Sequence, residues 1–223
     1  MRLSILIYDG LTTLDAIGGY EVLSRIPGME TEFVGPARGV VAADTRRLGL
    51  LAWRSFEEVR GTDILYVPGG PGGFELEQNT AFLDYLRLLD STSKWTVGIC
   101  NGVGLLAAAG LLKGRKATTN WFYQDRLRGY GVEFVPERYH RDGKYVSGAG
   151  VSASIDAGLF LAQLLAGDMV AKAIQLGIEY FPAPPFPEKT VQESPPMIQQ
   201  IVRQFEESGG AELLRQKAPF ETA

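Results

Sequence analysis

The chain has 223 residues, 45% hydrophobic and 22% charged, a balance that supports one large globular unit with a substantial core. Lys and Arg number 22 against 26 Asp and Glu, so the net charge is -4, and no long basic run offers a footprint for nucleic acid. One cysteine excludes an internal disulfide framework, and one histidine leaves no cluster of His and Cys ligands for a metal. No apolar run approaches the ~20 residues of a bilayer span, and Met1 to Asp9 breaks into acid and glycine too early for a secretory signal. The cytoplasm is therefore the expected compartment, with no membrane partner.

Leu3 to Tyr8 is a β-rich apolar run ending at the turn signal Asp9-Gly10. Leu14 to Leu23 has helical spacing, Glu32 to Gly35 reads as a second strand, and residues 39 to 51 as a small hairpin. Asp63 to Val67 predicts a buried strand, Pro68 to Gly73 a loop, and Ala81 to Leu89 a helix with Phe82, Leu83, Leu86 and Leu89 on one side. Trp95 to Ile99 predicts another buried strand. Cys100 follows, and then a Gly/Ala/Leu-rich helix that stops near Lys113-Gly114. Ala117 to Thr119 starts a β segment, Phe122 to Leu127 is a short helix, and Val132 to Val135 and Lys144 to Ser147 are strands separated by Arg141-Asp142-Gly143. Residues 151 to 166 and 168 to 180 are helical, prolines between 182 and 187 end that run, and Ile198, Ile201, Val202 and Phe205 carry helical spacing in a polar tail. Alternating strands and helices predict an α/β fold with a mainly parallel sheet covered by helices on both faces. Residues 1–187 read as one domain and 188–223 as its C-terminal helical extension.

Ligands of such sheets bind beyond the carboxyl ends of the strands. Tyr8-Asp9-Gly10, Pro68-Gly69-Gly70 and Ile99-Cys100-Asn101 are such ends, which places Cys100 and the glycine loop in one crevice. Glycines two positions either side of Cys100, at 98 and 102, match the G-x-S-x-G nucleophile elbow with cysteine in place of serine. The alternative for Cys100 is a buried inert thiol. His140 reads as a solvated loop histidine beside charged neighbours, so a Cys-His pair is not expected and a carboxyl must do the proton work. Asp15, at the start of the first helix, is the candidate; it could equally cap that helix. The Gly69 and Gly70 N–H groups, with that of Asn101, could form an anion-stabilising pocket, or the loop could be a plain turn. Asn101 could add its amide there or cap its own helix. A helix N-terminus behind Cys100 favours the thiolate, while a neighbouring carboxylate pushes both pKa values up.

Leu14-Asp15 with Glu21-Val22-Leu23, Val67-Pro68-Gly69-Gly70 and Ile99-Cys100-Asn101-Gly102 together resemble the ThiJ/PfpI superfamily. Ala107 to Trp121, Arg141-Asp142-Gly143, Gly148 to Asp156 and Ile178 to Phe186 are similar to its isocyanide hydratase branch. The resemblance implies a flavodoxin-like or Rossmann-like sandwich and a cofactor-independent, metal-free hydration of an isocyanide to an N-substituted formamide. It implies Cys100 as nucleophile through a thioimidate, Asp15 as its acid and base, and a pocket of Gly69, Gly70, Asn101, Ala149 and Val151. It also implies a homodimer, with Tyr180 to Phe186 and Trp121-Phe122-Tyr123 as contact surfaces unless they are buried within one subunit. Three positions depart from the branch: Asn101 stands where threonine is usual, Asn120 where histidine is, and Ala149 where glycine is. Asn101 also argues against the protease-like members, which have histidine there, and Asp15 against the deglycase-like ones, which use glutamate. Related regulators carry a helix-turn-helix module, for which the 36 residues after Pro187 are too few. The readings to weigh against hydration are a redox or small-molecule sensor using the Cys100 thiolate and another hydrolase or glyoxalase-type activity.

Overall fold

The computed structural model describes residues 1–206, 212 and 214–220. The strands in chain order are β1 (Arg2–Leu6), β2 (Glu30–Gly35), β3 (Gly39–Ala42), β4 (Gly49–Ala52), β5 (Arg54–Ser55), β6 (Ile64–Val67), β7 (Trp95–Ile99), β8 (Lys116–Ala117), β9 (Glu133–Phe134), β10 (Tyr139–Asp142) and β11 (Tyr145–Gly148). The α-helices are α1 (Thr13–Leu23), α2 (Gly73–Leu76), α3 (Thr80–Thr92), α4 (Gly102–Ala108), α5 (Gln124–Gly129), α6 (Ala153–Gly177) and α7 (Pro196–Gln204).

Seven strands form the central sheet in the order β10-β11-β7-β6-β1-β2-β5, parallel throughout except for β10. The central strands β1, β6 and β7 are buried along nearly their whole length, which explains their continuous apolar sequences: both faces are covered, so no polar alternation survives. The chain runs outward from β1 to β2 through α1, and outward in the other direction from β6 to β7 through α3. Right-handed crossovers in opposite directions put these helices on opposite faces. The gap between β1 and β6 is therefore the switch point of the sheet, where the loops from their carboxyl ends part. The sandwich expected from the alternation of strands and helices is the architecture observed.

Local chemistry accounts for the helices that frame this edge. Asn79 caps α3 by accepting the Phe82 N–H at 3.0 Å, and the helix buries Phe82, Leu83, Leu86 and Leu89 as their spacing requires. Helices α1 and α6 pack on one another, with Ser154 Oγ donating to the Leu14 carbonyl at 3.0 Å. On the other side, the buried carboxylate of Glu77 accepts from Tyr123 Oη (3.0 Å), Arg126 Nε (2.7 Å) and Tyr130 Oη (2.7 Å), tying α5 to the loop that carries α2.

Several expectations meet the structure here. Residues around His140, read as a separating turn region, form the antiparallel edge strand β10. Its alternation is of exposed against half-buried polar side chains, which carries no hydrophobic period. The segment at Ala117 pairs with β9 in a small separate sheet and does not join the main one. The two helices read at 151–166 and 168–180 meet, as that division has it, at Gly167, whose φ of 84° no right-handed helix admits; α6 spans both. By length and composition α6 could cross a bilayer, contrary to the expectation that no apolar run comes near a span. The Gly167 break divides it, and Ala153, Ala157, Gly158, Leu161 and Ala162 of its first half are buried in the core. The proline segment after it carries no regular structure, and α7 lies beyond. The chain then turns back over the carboxyl edge of the sheet: Arg46 Nε donates to the Gln216 carbonyl at 2.9 Å, and Ala218 is fully buried.

Candidate active site

Cys100 is the first residue after β7. Its φ of 55° lies in the left-handed region, a conformation a side-chain-bearing residue adopts only where the surrounding fold imposes it. The elbow holds because its neighbours are small. A Cβ at Gly102 would collide with the Val67 and Pro68 carbonyl oxygens, so α4 can start this close to the end of β6 only with glycine there. The Cys100 N–H donates to the Gly148 carbonyl at the end of β11 (3.0 Å), and its own carbonyl accepts from Thr119 Oγ1 (2.7 Å). The residue is 6% exposed.

Asp15 is fully buried. Its side chain does not cap its helix; Oδ2 accepts the Gly69 N–H from the facing loop at 2.8 Å, while Oδ1 has no partner among the described residues. Burial pushes its pKa from 3.8 up to about 7, against the Gly69 hydrogen bond that favours the carboxylate. The Tyr66 hydroxyl donates to the Asp15 main-chain carbonyl (2.7 Å), fixing the first turn of α1 from beneath.

The thiol answers the question left open by opposing influences. Burial raises the Cys100 pKa well above its ordinary value, and the nearby Asp15 charge raises it further. Hydrogen bonds from Asn120 and from the Asn101 N–H pull the other way without prevailing. Desolvation in the closed elbow therefore works against the thiolate that the helix N-terminus favours.

The glycine loop also differs from expectation. The Gly69 N–H is occupied by Asp15, and the Gly70 N–H donates to Asn101 Oδ1 at 2.6 Å while the Gly70 carbonyl accepts from Asn101 Nδ2 at 2.8 Å. Neither glycine N–H is a free anion donor; the chain's own acceptors already use both. Asn101 is neither a cap nor a free amide but a two-bond clip that locks the Gly70 loop to the elbow. Ala149 and Val151 follow the strand end that anchors Cys100. The Ala149 N–H donates to the Arg138 carbonyl at 2.9 Å, and the Val151 carbonyl accepts from Ser154 Oγ at 2.8 Å.

His140 is on edge strand β10, its Nδ1 2.7 Å from Glu137 Oε2, consistent with its reading as a bystander. Asn120, named only as a departure from the resembled branch, is the side chain that touches the sulfur: its Nδ2 lies 3.6 Å from Cys100 Sγ. Its Oδ1 is buried with no partner among the described residues, as is Asp15 Oδ1. The sequence signal for Asn120 was its place just after the Thr118-Thr119 pair that packs behind the elbow. Among the described residues there is no group of three or more His, Cys, Asp or Glu able to hold a metal.

On the Asn101 side of the elbow, where a Cβ at Gly73 would come within 3.3 Å of Asn101 Nδ2, lies a pocket of about 650 Å³ between α2, the 121–126 segment and the C-terminal segment, lined by Phe74, Phe122, Tyr123 and Arg126 on one side and Arg203, Glu206 and Leu214 on the other. Expectation had Trp121-Phe122-Tyr123 as an intersubunit contact or as internal packing. Tyr123 is buried, Trp121 sits under the Arg203 guanidinium at 4.5 Å, and Trp121 and Phe122 are half-buried.

Fold and site together define a doubly wound α/β protein with a cysteine on a strand-to-helix elbow and a buried carboxyl beside it. The DJ-1/PfpI family model matches residues 1–164, and the chain belongs to that family. It is 35% identical over 198 residues to the isonitrile hydratase of Pseudomonas putida, covering 89% of this chain and 86% of that protein. A deglycase of Pyrococcus abyssi is 30% identical over 152 residues, 66% of this chain and 89% of that protein. A ThiJ/PfpI family crystal structure from Pseudomonas syringae superposes with a TM-score of 0.87 at 29% identity, covering 96% of this chain and 90% of that one.

Proposed function

We propose that this protein hydrates isocyanides (isonitriles) to N-substituted formamides, without a cofactor, as a lyase. The observation that carries the reading is a buried carboxyl, its pKa raised to about 7 and its Oδ1 unengaged among the described residues, whose charge reaches the buried Cys100 thiol. A carboxyl ionising near neutrality can take and return a proton at working pH. Identity with the isonitrile hydratase along 89% of the chain supports the same choice over the deglycase relative.

In this mechanism the Asp15 carboxylate takes the Sγ proton as the sulfur attacks the terminal carbon of R–N≡C. Asp15 then gives that proton to the same carbon, leaving a thioimidate, Cys100–S–CH=N–R. Asp15 next draws a proton from water as the water oxygen adds to the thioimidate carbon and passes that proton to the nitrogen, leaving Cys100–S–CH(OH)–NH–R. As the C–S bond breaks, Asp15 takes the hydroxyl proton, the carbonyl forms, Asp15 returns the proton to the sulfur, and R–NH–CHO departs. One water is consumed and the enzyme returns to its starting state.

Formamide production from phenyl isocyanide tests this directly. Wild type is expected to turn over, Cys100→Ser to lose turnover, and Asp15→Asn to fall by about 10²–10⁴-fold, the range for a general acid–base group. The wild-type rate is expected to rise through about pH 7, as Asp15 ionises to the form that accepts the thiol proton. Absence of wild-type turnover, or full activity in Cys100→Ser, would refute the proposal. We also propose that the protein acts as a cytoplasmic homodimer on a small-molecule substrate; exposed Phe181 and Phe186 in the 180–186 segment support the dimer.

A further inference from the structure

The pocket on the Asn101 side of the elbow is walled by flat π faces and a flat cation. Phe74 and Tyr123 have centroids 5.1 Å apart, and the Arg126 guanidinium lies over both, at 5.3 Å and 5.8 Å. Phe122 stands edge-on to Tyr123 at 5.9 Å. Pro71 and Leu214 add apolar surface. The volume, about 650 Å³, is that of a small-molecule site and far exceeds what a methyl or ethyl group fills.

Two observations connect this space to the elbow and its edge of the sheet. A Cβ at Gly73, the neighbour of lining residue Phe74, would lie 3.3 Å from Asn101 Nδ2 beside the elbow, and one at Gly10, in the loop after β1, would lie 2.5 Å from Leu214 Cδ2. The pocket's charges balance. Arg126 is paired with buried Glu77, and the other charged lining residues are two acids, Glu75 and Glu206, and two bases, Arg203 and Arg215. A lining without net charge and rich in ring faces suits a neutral planar group, through stacking and cation–π contact.

We propose that this pocket is the subsite for the substrate's substituent, that it takes a neutral aromatic ring, and that the C-terminal segment forms its roof through Leu214. The assignment rests on the hydration reading only for the identity of the reactive group. The side chains that select the substituent are then Phe122 and Leu214, one on each wall.

The test is the ratio of kcat/KM for phenyl isocyanide to that for methyl isocyanide. Wild type is expected to favour phenyl by at least about 30-fold, and Phe122→Ala and Leu214→Ala are each expected to cut that ratio about tenfold, the scale for lost apolar contacts in a pocket. A wild-type ratio within about twofold of one, or a ratio unchanged in both variants, overturns the subsite. If wild type hydrates neither compound, the hydration reading falls and the subsite is judged by binding alone. Formanilide is then titrated into Cys100→Ser and followed by quenching of Trp121 fluorescence, with Trp121→Phe as the control. Saturable binding weakened about tenfold by Phe122→Ala sustains the subsite; absence of saturation overturns it.

Discussion

At the scale of single residues, the site is governed by how poorly water reaches it. Asp15 is held in a fully buried place with one hydrogen bond, so its protonated form is favoured in the folded chain. The folded pKa, about 7, lies above the unfolded value of 3.8, so the native state binds more protons between those values. Stability is then greatest below about pH 4 for this group and is lost as the pH rises to 7, by at most about 4 kcal/mol. Asp15→Asn keeps an oxygen for the Gly69 N–H and removes the ionisation. The variant should therefore gain on wild type between pH 4.5 and 8, as read by urea unfolding at both. The hydrogen bond from Asn120 works in the opposite sense on the thiol, lowering its pKa. Asn120→Ala should raise it, and iodoacetamide alkylation of Cys100 at pH 8 should slow by several-fold; an unchanged rate would show that the 3.6 Å contact is electrostatically idle.

At the scale of elements, the elbow depends on the start of α4 coming within contact distance of the end of β6. Gly102 is the point of closest approach, against main-chain oxygens that have no room to yield. Gly102→Ala should cost about 2–3 kcal/mol of stability, the scale of overpacking in a tight core. It should also displace Cys100 enough to lower activity by about 100-fold, since displacements near 1 Å carry that penalty. Thermal unfolding together with the formamide assay checks both. The same elements show where sequence patterns speak clearly. β6 and β7 were legible because strands buried on both faces read as unbroken apolar runs, and α3 because one buried face repeats its period. β10 was not, because an edge strand of charged residues has no such period to display.

At the scale of the whole molecule, two surfaces remain to be accounted for. Met169, Leu176, Phe181 and Phe186 are 84, 66, 63 and 74% exposed, an apolar share that a second subunit would cover. Sedimentation is expected to give about twice the 24.3 kDa of one chain, and Phe181→Ser with Phe186→Ser to shift the population to monomer. A wild-type monomer at micromolar concentration would contradict the dimer. The other surface is the carboxyl edge of the sheet, which the C-terminal segment crosses through the Arg46–Gln216 hydrogen bond and the buried Ala218.

The chain's own order of residues determined the alternation of strands and helices, the elbow at Cys100 between Gly98 and Gly102, and the placing of Asp15 at the same edge of the sheet. Each follows from local steric demands and from the rule that parallel strands end at one edge. Tertiary structure alone decided the rest. Whether Asp15 capped its helix or faced the thiol depended on which N–H the fold brought within 2.8 Å, and that was Gly69 from a loop more than fifty residues away. Whether Gly69 and Gly70 were free donors depended on Asp15 and Asn101 being placed to satisfy them. The upward push on the Cys100 pKa and the aromatic pocket near the elbow depend on burial and on side chains from distant segments, Phe74, Phe122 and Leu214 among them. Desolvation and convergence are properties of packed space, and no spacing along the chain encodes them.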